Sequence, residues 1–339
     1  MLLASLGAQE NQNYETAMPP TYQSHPSSPH PPNEWIIKPF GYASFLYWNC
    51  LQGASEVAVT TTVPTYTSYI LANATTQSLL LGMNPGFRAG VGFLLPWERT
   101  SLGVAYTYLD VSASKDFSPS GGQTLFPLLT DAAIQALTST KTEARWTISF
   151  QNVDIDFEKR YNISKAVTLL PDIGLKLAWI SQHRKVHYLQ MTGTDLSGSS
   201  FTGATYSRSD RNKFSGMGLK LGGSSLWYMG WGFGFFGLLK GALLAGSFHE
   251  SEDDVLNEEV IVDLSSRLKR MVPTIQYGVG LDWGHAFGDC AIKFSCAYEA
   301  QYWWAQQQFV RFTASNPYYV RGNEALAFQG LTASAGISF

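Results

Sequence analysis

Large apolar residues alternate with small or polar ones at a period of two over long stretches of this chain. In the C-terminal segment Leu331, Ala333, Ala335, Ile337 and Phe339 share one face, and Gly330, Thr332, Ser334, Gly336 and Ser338 share the other. Leu102, Val104, Tyr106 and Tyr108 oppose Ser101, Gly103, Ala105 and Thr107 in the same way. So do Ile275, Tyr277, Val279, Leu281 and Trp283 against Thr274, Gln276, Gly278, Gly280 and Asp282, and Ile292, Phe294, Tyr298 and Tyr302 against Lys293, Ser295, Glu299 and Gln301. Successive side chains of a strand point to opposite faces, so one face suits lipid and the other water.

The strongest apolar run, 226–248, is long enough for a membrane helix and is broken only by Lys240. It also carries glycines at 230, 232, 234, 237, 241 and 246, several alternating with Trp227, Met229, Trp231, Phe233 and Phe235. Each glycine inside a helix would cost roughly 1 kcal/mol relative to alanine. The run is therefore predicted to be a strand with its aromatics in lipid.

The pattern predicts strands over 36–48, 83–95, 100–112, 143–159, 165–181, 212–223, 226–248, 268–284, 289–306 and 326–339. In 143–159 the apolar phase shifts near Gln151 and Asn152, from Trp146, Ile148 and Phe150 to Val153, Ile155 and Phe157, which predicts a β-bulge. Long connections (49–82, 113–142, 182–211, 249–267, 307–325) alternate with short ones (96–99, 160–164, 224–225, 285–288). A soluble β-sandwich would also alternate in hydropathy, but short turns alternating with long loops mark an outer-membrane barrel. The predicted fold is an all-β transmembrane antiparallel barrel of about ten strands. Twelve is the alternative count, because 55–62 and 78–82 have some strand character.

Composition agrees with a barrel. Only 14% of residues are charged, aromatics are equally frequent, and there are 31 glycines, an unusual mixture for a soluble domain. A net charge of −3 leaves no basic field for nucleic acid. Cys50, Cys290 and Cys296 show neither CxxC nor zinc spacing. The last two, six residues apart on one strand, would stand about 20 Å from each other, too far for a disulfide. Free thiols and intermolecular bridges both remain open.

Residues 1–8 read as the tail of a signal peptide, with an unstructured N-terminus as the alternative. Residues 9–34, which include Pro26-Ser-Ser-Pro-His-Pro-Pro32, are predicted to be a disordered linker, leaving 35–339 for the barrel.

Several segments resemble the pore-forming outer membrane proteins of Legionella and the environmental chlamydiae, the major outer membrane protein-like group. They are Phe45-Leu-Tyr-Trp48, Gly86-Phe-Arg-Ala-Gly-Val-Gly92 before Tyr106-Thr-Tyr108, Phe157-Glu-Lys-Arg-Tyr161, Thr168-Leu-Leu-Pro-Asp-Ile-Gly-Leu175, Gly280-Leu-Asp-Trp283, Tyr298-Glu-Ala-Gln-Tyr-Trp-Trp304 and Gln329-Gly-Leu-Thr332. They follow the family order over roughly residues 35–339. The resemblance implies a surface porin in the cell outer membrane and brings no catalytic residue with it.

On this reading the lumen receives Arg88, Asp154, Asp156, Glu158, Lys220, Asp282, Lys293 and Glu299. Five acids against three bases predict slight cation preference in a pore that passes ions and small hydrophilic solutes. The competing account pairs these charges inside a narrow, plugged barrel, since ten strands enclose little space. A closed barrel would serve as a structural protein or adhesin, with loops 49–82, 113–142 and 182–211 carrying the function.

His183 and His187 have a helical metal spacing but flank a loop, and are read as rim residues. His285 and Asp289 lack a strained nucleophile nearby, so no enzyme and no cofactor are expected. The acidic run Glu250-Ser-Glu-Asp-Asp254 with Glu258 and Glu259 is read as a solvated external loop, or as a divalent-cation site bridging to lipopolysaccharide phosphates. Trp35, Trp48, Trp97, Trp146, Trp179, Trp227, Trp283, Trp303 and Trp304 are assigned to interfacial girdles. Leu331, Ile337 and Phe339 are read as the signal recognised by the barrel assembly machinery. Outer membrane lipid and lipopolysaccharide are the other expected partners, and a homo-oligomer is compatible with the sequence.

Overall fold

The computed structural model describes residues 37–62, 74–95, 99–130, 134–195, 198–312 and 319–339. The segments 1–8 and 9–34, with Trp35 and Trp97, lie outside the described residues. Ten wall strands follow one another: β1 (Lys38–Gln52), β2 (Met83–Leu95), β3 (Thr100–Phe117), β4 (Lys141–Lys159), β5 (Val167–Asp195), β6 (Ser200–Gly230), β7 (Phe233–Leu256), β8 (Glu259–Phe287), β9 (Cys290–Gln307) and β10 (Glu324–Ser338). Each pairs antiparallel with its chain neighbours, and β10 pairs with β1 from Phe40 opposite Ser338 to Gln52 opposite Leu326. That last pairing closes the ring, which leaves no open wall edge in lipid, where an unpaired backbone group would be costly. The protein is a transmembrane β-barrel with an even strand number, so both ends of the barrel segment lie at the end with the short turns, the periplasmic one.

The alternation is continuous. Phe45, Phe87, Val104, Phe157, Leu175, Leu219, Leu243, Val279, Phe294 and Leu331 are exposed on the outer surface. Their strand neighbours point inward.

Four expectations need correction. First, 182–211 and 249–267 are not loops: β5 and β6 stay paired from Val167 opposite Trp227 to Thr194 opposite Ser200, and β7 and β8 stay paired to Leu256 opposite Glu259. At about 3.3 Å per residue these strands run far beyond what lipid requires, so β5–β8 rise as a paired wall above the membrane. Second, the run 226–248 is two strands. Gly230, Trp231 and Gly232 turn the chain with φ of 96°, 53° and 85°, a left-handed path that two glycines make accessible, and Leu226–Met229 belongs to β6. Third, β4 carries no bulge: its pairing with β3 and β5 is free of register shifts, and Trp146, Ile148 and Phe150 are inward residues on the same face as Asn152 and Asp154. Fourth, 55–62 corresponds to Glu56–Thr61, which forms a small sheet with Thr75–Ser78 and Thr124–Pro127 rather than an extra wall strand, while 78–82 is not a strand beyond Ser78.

Candidate functional site

The lumen is the place where a barrel can act, and its lining follows from the strand parity. All eight charged residues expected there point inward. In the periplasmic half Arg88 on β2 grips Glu299 on β9 with two hydrogen bonds of 3.2 and 3.0 Å, while Gln276 also donates to that carboxylate. Asp154 on β4 lies 2.8 Å from the Lys176 ammonium and 3.0 Å from that of Lys220, which also reaches Asp156 at 2.6 Å. Lys240 pairs with Asp172, and Lys293 with Asp282 at 2.9 Å. Glu158 lines a cavity of about 250 Å³ together with Tyr42, Asp156, Lys240 and Lys293. Seven of the eight charges, all but Glu158, thus take part in ion pairs along the inner wall.

Lys176, Asp172 and Lys240 are members of this network that the sequence analysis omitted. The first two share the inward face opposite Ile173, Leu175 and Trp179, so parity alone could have placed them. Lys240 was read as an interruption of an apolar run; its inward parity explains how a cation sits there without facing lipid.

At mid-height the inner surface turns apolar. Leu46 and Trp48 from β1, Leu109 from β3, Phe150 from β4, Ala178 from β5, Leu244 from β7, Val272 from β8, Trp303 from β9 and Phe328 from β10 are all at most 1% exposed. Phe150 meets Trp303 edge-on at 5.3 Å and Phe328 at 4.7 Å, and the Lys176 ammonium sits 5.6 Å from the Trp303 ring. These contacts cross the lumen. Above them the loops fold inward: Val57, Leu79, Leu81, Leu125, Leu129 and Phe309 join the same buried cluster. Tyr188 on β5 ties a loop down, donating to the Val57 carbonyl at 2.6 Å and accepting from the Leu129 amide at 3.1 Å.

The girdle assignment of the tryptophans therefore splits. Trp179, Trp227 and Trp304 face outward as expected, whereas Trp48, Trp146 and Trp303 are fill for the lumen. Their hydrophobic area is hidden by partners across the barrel rather than by headgroups. Trp283 is half-buried and stacks on His285 at 6.0 Å.

Above the membrane belt lies a second ionic cluster inside the extended strands. Asp210 on β6 accepts from Arg184 on β5 at 2.7 Å and pairs with Arg208 at 2.9 Å; Arg208 also reaches Glu252 at 2.7 Å. Burial works against the Asp210 carboxylate, but the two guanidiniums outweigh it and hold its pKa below the ordinary value. The acidic run is accordingly a solvated loop only at Glu258 and Glu259, which are exposed at the β7–β8 turn; Glu250–Asp254 is strand rather than loop. Glu250, Glu252 and Asp254 face inward and are buried, against Arg321, Arg208 and the Tyr206 hydroxyl respectively, and only Asp253 between them points out, to Arg211. The carboxylates are engaged by guanidinium and phenol groups, which argues against their use as divalent-cation ligands.

His183 and His187 lie on the outer face of the paired wall, where His183 meets the Ser209 hydroxyl at 3.2 Å. The three cysteines are free: Cys50 is buried in the lumen and Cys296 is exposed on the outer wall.

The sequence profile of the Legionella pneumophila major outer membrane protein precursor matches residues 28–339. Among curated proteins no sequence matches. Among solved structures the chain is similar to the outer membrane protease OmpT of Escherichia coli (10% identity, 91% of this chain and 99% of that one, TM-score 0.38). It is also similar to a major outer membrane protein of Thermus thermophilus (12% identity, 89% and 99%, TM-score 0.29) and to the P. putida toluene transporter TodX (8% identity, 90% and 90%, TM-score 0.32). At these levels none of the three assigns a role to a residue.

Proposed function

The chain belongs to the Legionella pneumophila major outer membrane protein family, and from that premise we propose that it is a closed outer-membrane barrel, without enzymatic activity, that carries a folded extracellular surface. The observation that supports this reading is the mid-height seal. A water-filled pore leaves its lining accessible, whereas Trp48, Phe150, Trp303 and Phe328 are packed against one another with essentially no exposed surface. Aromatic packing of this kind is tight and costly to open. The long paired wall of β5–β8 and the loop sheet then provide the surface for contact with other molecules.

A second reading, diffusion of ions and small hydrophilic solutes, draws support from the 250 Å³ cavity below the seal and its charged lining. The test is to place the purified, folded protein in a planar bilayer. Silence from protein that still shows heat-modifiable migration supports the closed barrel; stepwise conductance overturns it and establishes the pore.

A further inference from the structure

The outer face of β4–β8 just above the lipid belt carries a concentration of cations that the lumen does not explain. Arg145, Lys185, Arg211, Lys213, Arg267 and Lys269 all have the outward parity of their strands and are exposed. Among the described residues, the outward positions of β1, β2, β3, β9 and β10 hold no lysine or arginine. Four acids of the same strands, Asp210, Glu250, Glu252 and Asp254, are turned into the barrel, where Arg184 and Arg208 also lie. The outward face at this height therefore sets six exposed cations against three acids, Glu143, Asp253 and Asp263.

The height of the patch is set by its neighbours. Lys269 lies two residues from Met271 on β8, Lys213 four from Met217 on β6, and Lys185 six from Trp179 on β5, and each of those apolar residues is exposed on the belt. At about 3.3 Å per residue along a tilted strand, the cations span roughly the first 10–15 Å above the belt, which is headgroup territory.

Their register is unfavourable without an anion. Arg145 stands directly opposite Lys185. Like charges opposed across a strand pair repel. Only Arg211 among the six has a partner in a described ion pair, Asp253 at 2.9 Å; the other outward acids nearby are Asp263 and Glu143, the latter paired with Lys141 at 2.6 Å. The His183 ring records the field: burial and the nearby Arg211 and Lys185 hold its pKa below the ordinary imidazole value.

We propose that Arg145, Lys185, Arg211, Lys213, Arg267 and Lys269 form a docking shelf for the phosphate groups of the phosphorylated glycolipid in the outer leaflet. Charge complementarity and position select this occupant. Its acyl chains would lie against the belt of Trp179, Met217 and Met271, and its phosphates would separate the opposed cations. The inference does not depend on whether the lumen conducts.

The experiment titrates folded full-length protein in zwitterionic micelles with purified lipopolysaccharide and with the same glycolipid after enzymatic dephosphorylation. Wild type should bind the phosphorylated form at least tenfold more tightly, with an affinity that falls as salt is raised. The pair Arg267→Gln/Lys269→Gln and the triple variant Lys185→Gln/Arg211→Gln/Lys213→Gln should each lose most of that preference, while Lys185→Arg/Lys213→Arg keeps it. Folding is followed by heat-modifiable migration, and the two-residue variant keeps the test valid if the triple variant misfolds. Equal binding of the dephosphorylated glycolipid, unchanged binding by the glutamine variants, or full competition by millimolar inorganic phosphate would each overturn the proposal, the last by revealing a general anion site.

Discussion

The rings of Phe150 and Phe328 lie 4.7 Å apart, although three strands separate β4 from β10 along the shorter way around the barrel. The contact therefore crosses the lumen. Replacing both with alanine should remove the seal while leaving the hydrogen-bonded wall intact. Each truncation of a buried phenylalanine costs about 3–5 kcal/mol, so the double variant should unfold at markedly lower urea concentration. In planar bilayers it should conduct where wild type is silent; a silent, folded double variant would show that the loop plug seals the lumen by itself.

Asp210 holds two guanidiniums that have no room to reach water, those of Arg184 and Arg208. Asp210→Ala strands buried positive charge and should cost about 3–5 kcal/mol, far more than Asp253→Ala at the exposed Arg211 pair, which should cost about 0–1 kcal/mol. Urea unfolding followed by gel migration compares the two, and equal losses would contradict the assigned burial.

Glu250 gives the extracellular wall a pH dependence of known sign. Burial pushes its pKa up to about 7, with Arg321 pulling the other way. The folded carboxyl thus keeps a proton that an unfolded one, at its ordinary value of 4.5, would release between pH 4.5 and 7. Its contribution to stability is full below pH 4.5 and is lost as pH rises through about 7. Resistance of the β7–β8 hairpin to protease should fall over that window, and Glu250→Gln should flatten the profile.

Phe339 ends the chain on the outward face, with its amide donating to the Pro39 carbonyl at 3.2 Å. If Leu331, Ile337 and Phe339 form the assembly signal, deleting Phe339 should cut the fraction of heat-modifiable barrel in outer membranes several-fold while protein that does insert unfolds like wild type. Normal assembly of the deletion would reduce β10 to a closing seam. A single lost hydrogen bond is worth only about 1 kcal/mol, too little to account for an assembly defect through stability.

The sequence by itself determined the wall. The period of two in Leu331–Phe339, Leu102–Tyr108 and Thr274–Trp283 is a local property of each strand, and lipid on one side makes it legible, so the ten strands, their direction and the inward placement of Arg88, Asp154, Asp156 and Glu299 could all be read. Legibility stopped where lipid stopped. In 182–211 and 249–267 the inner face mixes apolar residues such as Val186, Tyr188 and Tyr206 with ion pairs such as Arg208 with Glu252, while water covers the other, and an alternation of weak contrast resembles a loop. It also stopped where the inner face became apolar: Trp146, Ile148 and Phe150 looked like lipid-facing residues in a shifted phase because hydropathy cannot distinguish burial by lipid from burial by a partner across the lumen. Whether the lumen is open or sealed rests on Phe150 meeting Phe328 and on loops folding inward over Trp48. Those contacts join residues far apart in the chain, and only closure of the barrel brings them together.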